Sequence, residues 1–190
     1  MPNQRPENRS GLLRRAASLF QRQGYHAGGL NELLIDRDFP GGKEQLAVEA
    51  VLLTAAELGA QMTEVLDRAA DPVAGVVTLG ALFARPLAES GYQGGSTIST
   101  IALQLTADHP EIRTACARAY ADWLGILDRR FRSWGVPAGE SAALAEVVLS
   151  GIEGALVLAK VRRDCAPIHQ VTARLGALVA AWFDSPRGDA

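Results

Sequence analysis

The sequence predicts an all-α fold. Three observations carry that prediction. Apolar residues recur at steps of three and four along nearly every apolar segment. No segment sustains the period-two alternation of a half-buried strand. The breaks between segments hold the residues that start and stop helices, among them Asp71-Pro72, Asp108-His109-Pro110, Gly135-Val136-Pro137 and Ala166-Pro167. The spacing predicts eight or nine helices and no internal repeat.

The first helix is expected over Arg9 to Gln23. Leu13, Ala16, Ala17 and Phe20 share one face, Ser10 is placed to cap the start, and Gly24 stands where a helix end favours a left-handed residue. A short second helix is expected over Leu30 to Ile35, followed by a break at Asp36 to Gly42. Lys43 to Ala70 is helical in composition, with Leu46, Ala50 and Leu53 inward and Gly59 as a point of bending or interruption. Asp71 and Pro72 open a helix that runs to about Ala88. Ser90 to Thr97 reads as a Gly-rich loop, and Ile98, Ile101 and Leu105 as the next helix. From Glu111 the run Ile112, Cys116, Tyr120, Trp123, Leu127, Phe131 and Trp134 forms one apolar stripe on a long helix. Leu144, Val148, Gly151, Ala155 and Leu158 repeat the pattern, while Glu146, Glu153 and Lys160 recur every seven residues on another side. Ile168, Val171, Leu175, Leu178 and Trp182 line a last helix before Ser185-Pro186.

The chain has 190 residues, 48% hydrophobic and 21% charged, enough apolar material for a packed core. That composition excludes a disordered or collagen-like chain. Two cysteines exclude a disulfide-stapled scaffold. The uncharged stretch Ser90 to Ala107 is too polar to span a membrane, and MPNQRPENRS has no apolar signal core, so a cytoplasmic protein without a membrane partner is expected. The net charge of −2 is unevenly divided. Residues up to Lys43 carry +3 and the remainder −5. A basic head on an acidic body suits a head that faces a polyanion.

A search for catalytic chemistry returns little. His26, His109 and His169 are far apart and none has a second ligand at helical spacing, so no metal is expected. Gly94-Gly95-Ser96-Thr97 lacks the lysine and the spacing of a phosphate-binding loop and reads as a loop with a helix cap. No nucleophile elbow is present. Cys116 lies on the apolar stripe as a packed thiol, and Cys165 sits at a helix start, where the helix dipole favours a thiolate. Glu153 lies among apolar neighbours in SGIEGALVLAK; its heptad rhythm with Glu146 and Lys160 points to a polar, partly exposed face rather than a pocket acid. No acid–base pair assembles on one helix face, so neither an enzyme nor a cofactor is expected.

The stretch SGLLRRAASLFQRQGYHAGGLNELL resembles the first two helices of the TetR family of transcriptional repressors. Phe39-Pro40-Gly41-Gly42-Lys43-Glu44-Gln45-Leu46 is similar to that family's junction into its fourth helix. GGSTISTIALQL, RAYADWLGILDRRF and SGIEGALVLAKVRRD resemble the ligand-binding domain of its LmrA/YxaF-like branch. The resemblance implies a helix-turn-helix DNA-binding domain over residues 1–43 and an effector-binding and dimerisation domain over 44–190. It implies operator DNA as a partner of a homodimer, released by a small effector. Arg14, Arg15, Tyr25, Gly28 and Lys43 are the implied DNA-backbone contacts. The last two helices would pair with their counterparts through Val148, Gly151, Ala155, Leu158, Val171, Leu175, Leu178 and Trp182. The concentration of aromatics on one stripe, together with the resemblance, puts an effector pocket among Phe83, Leu87, Ile101, Leu105, Tyr120, Trp123 and Leu127, suited to a hydrophobic or aromatic molecule.

One departure from the family is large. A recognition helix should stand between the second helix and Phe39, and only Ile35, Asp36, Arg37, Asp38 and Phe39 occupy that place. Five residues cannot form a turn and a two-turn helix, so roughly ten residues are absent relative to the motif. Either the protein lacks the segment, or the coding region holds residues beyond those of this chain, or Asp36 to Gly42 refold with the second helix. The alternative function that follows is a dimeric helical ligand-binding or interaction protein that does not bind DNA.

Overall fold

The computed structural model describes residues 8–26 and 39–184. Seven helices and no strand lie among them: α1 (Arg9–Gln23), α2 (Gly42–Asp67), α3 (Pro72–Glu89), α4 (Thr97–Ala102), α5 (Pro110–Ser133), α6 (Ala138–Arg162) and α7 (Ala166–Asp184). The all-α expectation holds, with a helix count slightly below eight or nine. The expected short helix Leu30 to Ile35, Gly28 and the place of the missing recognition helix fall outside the described residues.

Local chemistry explains most boundaries. Asn8, not Ser10, caps α1: its side chain accepts from Gly11 N at 2.9 Å. Ser10 comes two residues later and is itself helical. Gly24 ends the helix at φ +78° and donates its N–H to the Phe20 carbonyl. Asp71 caps α3, accepting from Ala74 N at 2.7 Å, with Pro72 in the first turn. Ser96 caps the short α4, which stops at Ala102, earlier than the Leu105 periodicity suggested. Gly59 does not interrupt α2. It admits the Ile126 and Trp123 side chains against the helix backbone, where an added Cβ would lie 3.3 Å from Ile126 Cδ1.

The chain divides into two compact units, Met1–Glu57 with Ser96–Ala119, and Leu58–Gly95 with Tyr120–Ala190. In the first, α1 packs on α4, burying Leu13, Ala16, Ala17 and Phe20. In the second, α7 lies against both α3 and α6. Small residues set how closely α3 and α7 meet. Gly80 lies directly over Thr172, and Gly176 over the Val73 backbone. The stripe on α5 runs as expected, with Ile112, Cys116, Trp123, Leu127 and Phe131 buried.

Candidate functional site

The first unit holds the basic head. On α1, Arg9 reaches Glu49 at 2.6 Å and lies over the Phe39 ring, and Arg14 pairs with Glu57 at 2.7 Å. The Arg9 guanidinium holds the Glu49 carboxyl below its ordinary range. Arg14 and Arg15 are both exposed. Exposed ion pairs of this kind contribute little to stability.

The turn after α1 is closely tied down. Tyr25 N donates to Gln104 Oε1 at 2.7 Å, and a His26 ring nitrogen lies 3.2 Å from the Gln104 carbonyl oxygen. The Tyr25 ring meets Phe20 and, edge-on, His109, with Lys43 Nζ 4.8 Å from its centroid. Tyr25 is therefore buried, 5% exposed. It packs the end of α1 and carries Lys43 on its face. Burial lowers the Lys43 ammonium and raises the Tyr25 phenol from their usual values.

The second unit contains a cavity of about 460 Å³ between α5 and α6. It is lined by Tyr120, Leu124, Glu146, Leu149, Ser150 and Glu153. Helical spacing explains the wall. Glu146, Leu149, Ser150 and Glu153 follow steps of three, one and three, so one side of α6 faces the space, and Tyr120 and Leu124 are one turn apart on α5. Glu153 Oε1 is buried there. The Tyr120 ring packs edge-on against Trp123. A smaller cavity, about 210 Å³, lies by Thr63, Leu66, Asp67, Ile126, Arg129, Arg130 and Ser133, where Arg130 faces Asp67 at 3.5 Å.

The seven residues expected to form an effector pocket fall in different settings among the described residues. Tyr120 alone lines the larger cavity. Phe83, Leu87, Trp123 and Leu127 are packed core residues, and Ile101 and Leu105 belong to the other unit. The strongest apolar periodicity marked the faces that close on the core. This cavity is lined by the flank of each stripe, where polar and apolar residues mix; the heptad rhythm of Glu146 and Glu153, read as an exposed polar face rather than a pocket, did not point to it.

The second unit also exposes apolar side chains along its last two long helices. Val147, Val157, Leu158 and Val161 of α6, and Leu178 and Trp182 of α7, are each at least 38% exposed. Of the expected interface, Leu158, Leu178 and Trp182 are on this surface. Val148 and Ala155 are not, because they turn into the protomer's own core. Gly151, Val171 and Leu175 meet one another: an added Cβ at Gly151 would lie 2.9 Å from Leu175 Cδ1 and 3.4 Å from Val171 Cγ1. Gly154 has open space above it and belongs with the exposed set.

Among the described residues no group of three or more His, Cys, Asp or Glu is placed to hold a metal. Burial pushes the Cys116 thiol up to about 11, away from reactivity. The Cys165 sulfur lies 3.5 Å from the Ala84 carbonyl oxygen.

Comparison with known proteins agrees with this architecture. Residues 72–174 match the C-terminal domain of the LmrA/YxaF-like transcriptional regulators, more than half of the chain. The chain is 27% identical over 184 positions to the HTH-type transcriptional regulator YxaF of Bacillus subtilis, covering 92% of this chain and 96% of YxaF. It is 25% identical over 175 positions to LmrA of the same organism, covering 87% of this chain and 93% of LmrA. Each span exceeds the share of this chain that enters it, so both alignments leave gaps on this chain's side. A TetR transcriptional regulator from Legionella pneumophila superimposes with a TM-score of 0.75 at 18% identity, over 94% of this chain and 99% of that one. The regulator CifR, solved with a 26-base-pair operator DNA, superimposes with a TM-score of 0.75 at 23% identity, over 92% and 98%. The fold is that of the TetR regulators, and the proteins it resembles are regulators rather than enzymes. The chain belongs to the LmrA/YxaF-like branch of the TetR family of transcriptional regulators.

Proposed function

We propose that this regulator is a cytoplasmic repressor that binds operator DNA as a homodimer and is released by a small effector with a large hydrophobic part. The observation that carries the reading is the family match along most of the chain. The +3 head, with Arg14, Arg15 and Lys43 on and beside α1 and Gly28 on the adjoining segment, supplies the backbone contacts. Residues 1–43 form the DNA-facing part and 44–190 the effector and dimer part. The apolar surface of α6 and α7 is the dimer face, because exposed apolar patches of this kind on a regulator mark an association surface. Effector entry beside α5 and α6 would change the relation of the two heads and lower operator affinity. The alternative of a ligand-binding protein that has given up DNA is not favoured, since its relatives are regulators along nearly their whole length.

The reading is tested by gel shift with the region upstream of the protein's own gene. Sequence-specific binding that weakens steeply as salt rises, as phosphate contacts demand, is the expected result. An intact dimer that shifts no such fragment at low salt would overturn it.

A further inference from the structure

We propose that Gln104 is a positioning residue for DNA binding: from the link between α4 and α5 it fixes the turn after α1, and through Tyr25 it sets the place of the Lys43 ammonium. This rests on the repressor reading, in which Lys43 meets the DNA backbone, and names a residue on which that contact depends although it is not itself a DNA contact. Gln104 lies two residues beyond the end of α4. Its side-chain amide sits directly over Gly24, where an added Cβ would run into the amide carbon, oxygen and nitrogen together. Glycine leaves that seat open, and φ +78° at the same residue favours glycine as well. From this seat the amide oxygen accepts from Tyr25 N at 2.7 Å, and the Gln104 carbonyl oxygen lies 3.2 Å from His26 Nε2. Gly24 N still bonds back into α1, so Tyr25 N is the first amide past the helix, and Gln104 satisfies it. The same link holds the ring. His109, at its far end, meets the Tyr25 ring edge-on with centroids 4.9 Å apart, and Phe20 of α1 packs it at 6.0 Å. Lys43, in the first turn of α2, places its Nζ 4.8 Å from the centroid of that ring. A cation held on a tyrosine face follows the face when the ring moves. Without the Gln104 acceptor the part-buried Tyr25 amide loses its partner, and the turn, the ring and the ammonium are released together.

The test uses the full chain, a gel shift with the region upstream of its own gene, and hydrogen exchange at the Tyr25 amide. Gln104→Leu is of similar size and removes the acceptor, whereas Gln104→Glu keeps an acceptor at the same atom. The Leu variant is expected to bind the fragment about tenfold more weakly, with a melting temperature close to the natural one. Its Tyr25 amide should exchange faster. The Glu variant should recover most of the binding and of the protection. Because Gln104 acts through Lys43, Gln104→Leu should add little to the loss that Lys43→Ala causes by itself. If the Leu variant fails to fold, Gln104→Met replaces it in every comparison. Undiminished binding by the Leu variant, unchanged exchange at Tyr25, a Glu variant as weak as the Leu variant, or losses that simply add in the double variant overturns the assignment. A loss of binding that only tracks a fall in melting temperature also overturns it, leaving Gln104 as packing. The two readings fail separately. A natural protein that shifts no fragment at low salt overturns the repressor reading, and the role for DNA with it. A fragment shifted equally by the natural protein and by Gln104→Leu overturns the positioning role alone.

Discussion

Ser141 shows how much one buried hydroxyl can hold. It is fully buried at the start of α6, donates to the Asp128 carboxylate on α5, and accepts from Arg132 Nε at 3.1 Å. Arg132 also pairs with Asp128 at 2.9 Å. The Ser141 hydroxyl, and after it the Arg132 guanidinium, holds the Asp128 carboxyl below its ordinary range. A depressed carboxyl stabilises the fold above its unfolded-state pKa, and that contribution disappears as pH falls through the folded-state value. Ser141→Ala is expected to cost about 1–2 kcal/mol at neutral pH, as for the loss of a buried hydrogen bond to a charged group. The difference from the natural protein should shrink in acid. Urea denaturation at neutral and at acidic pH reads both, and an equal difference at the two would show that Asp128 is not involved. None of this triad was legible in the sequence, because Asp128 and Ser141 meet only once the Gly135-Val136-Pro137 turn has reversed the chain. Ser141 shares the buried face of Leu144, Ala145 and Val148, and a polar residue on that face adds nothing to an apolar periodicity.

At the scale of the helices, the boundaries were nearly all readable and the close approaches were not. Asp71-Pro72 and the Gly135 turn are local signals, so α3, α5 and α6 begin and end where caps and breakers dictate. The cap of α1 was displaced by two residues, since Asn8 and Ser10 are equally good caps in isolation and the backbone chose between them. Gly80 carries no such signal. In the fold it sits over Thr172, and an added Cβ would collide with the Thr172 methyl and hydroxyl. Thr172 is itself fully buried and donates to the Ile168 carbonyl at 2.9 Å, so it has little room to yield. Gly80→Ala should therefore destabilise by about 1–3 kcal/mol through overpacking, although alanine has the higher helix propensity. Gly139 stands with nothing within 4 Å of its added Cβ and is the control. Gly139→Ala should be neutral or slightly stabilising in the same thermal melts. A Gly80→Ala melting point at or above the natural one would refute the packing argument.

For the whole molecule, α6 decides the question of association. It is apolar enough by length and composition to cross a membrane, with a mean hydropathy of 1.8, and α2 passes the same test at 1.2. In α6 that character is spent on two faces. Leu144, Val148, Ile152, Ala155 and Ala159 fill the protomer's core. Val147, Val157, Leu158 and Val161 remain outside with Trp182 of α7. The proposed dimer covers them. Leu158→Glu with Val161→Glu is expected to give a folded monomer by light scattering behind a sizing column, and to abolish operator binding that depends on two linked heads. A dimer that survives both charges would place the interface elsewhere. The sequence pointed to α6 and α7 for this proposed face, and two of the residues expected on it are buried in the protomer's own core. Val148 and Ala155 share their periodicity with Leu158, and a helix apolar on both sides has no single stripe to read.

What the sequence by itself determined is therefore the helical class, the order and approximate ends of the helices, the charge division between head and body, and the motifs shared with the regulator family. Each is encoded over a few turns of chain, where periodicity, caps and breakers act without help from distant residues. Only the tertiary structure decided which side of α6 faces the core, that Tyr25 packs under Lys43, and that Glu146 and Glu153 wall the space beside Tyr120. The physical reason is common to all three. Burial strength ranks residues by how well they fill space, so the most apolar positions close on one another. The open cavity is left to the mixed flank of the helices, whose placement depends on how those helices pack.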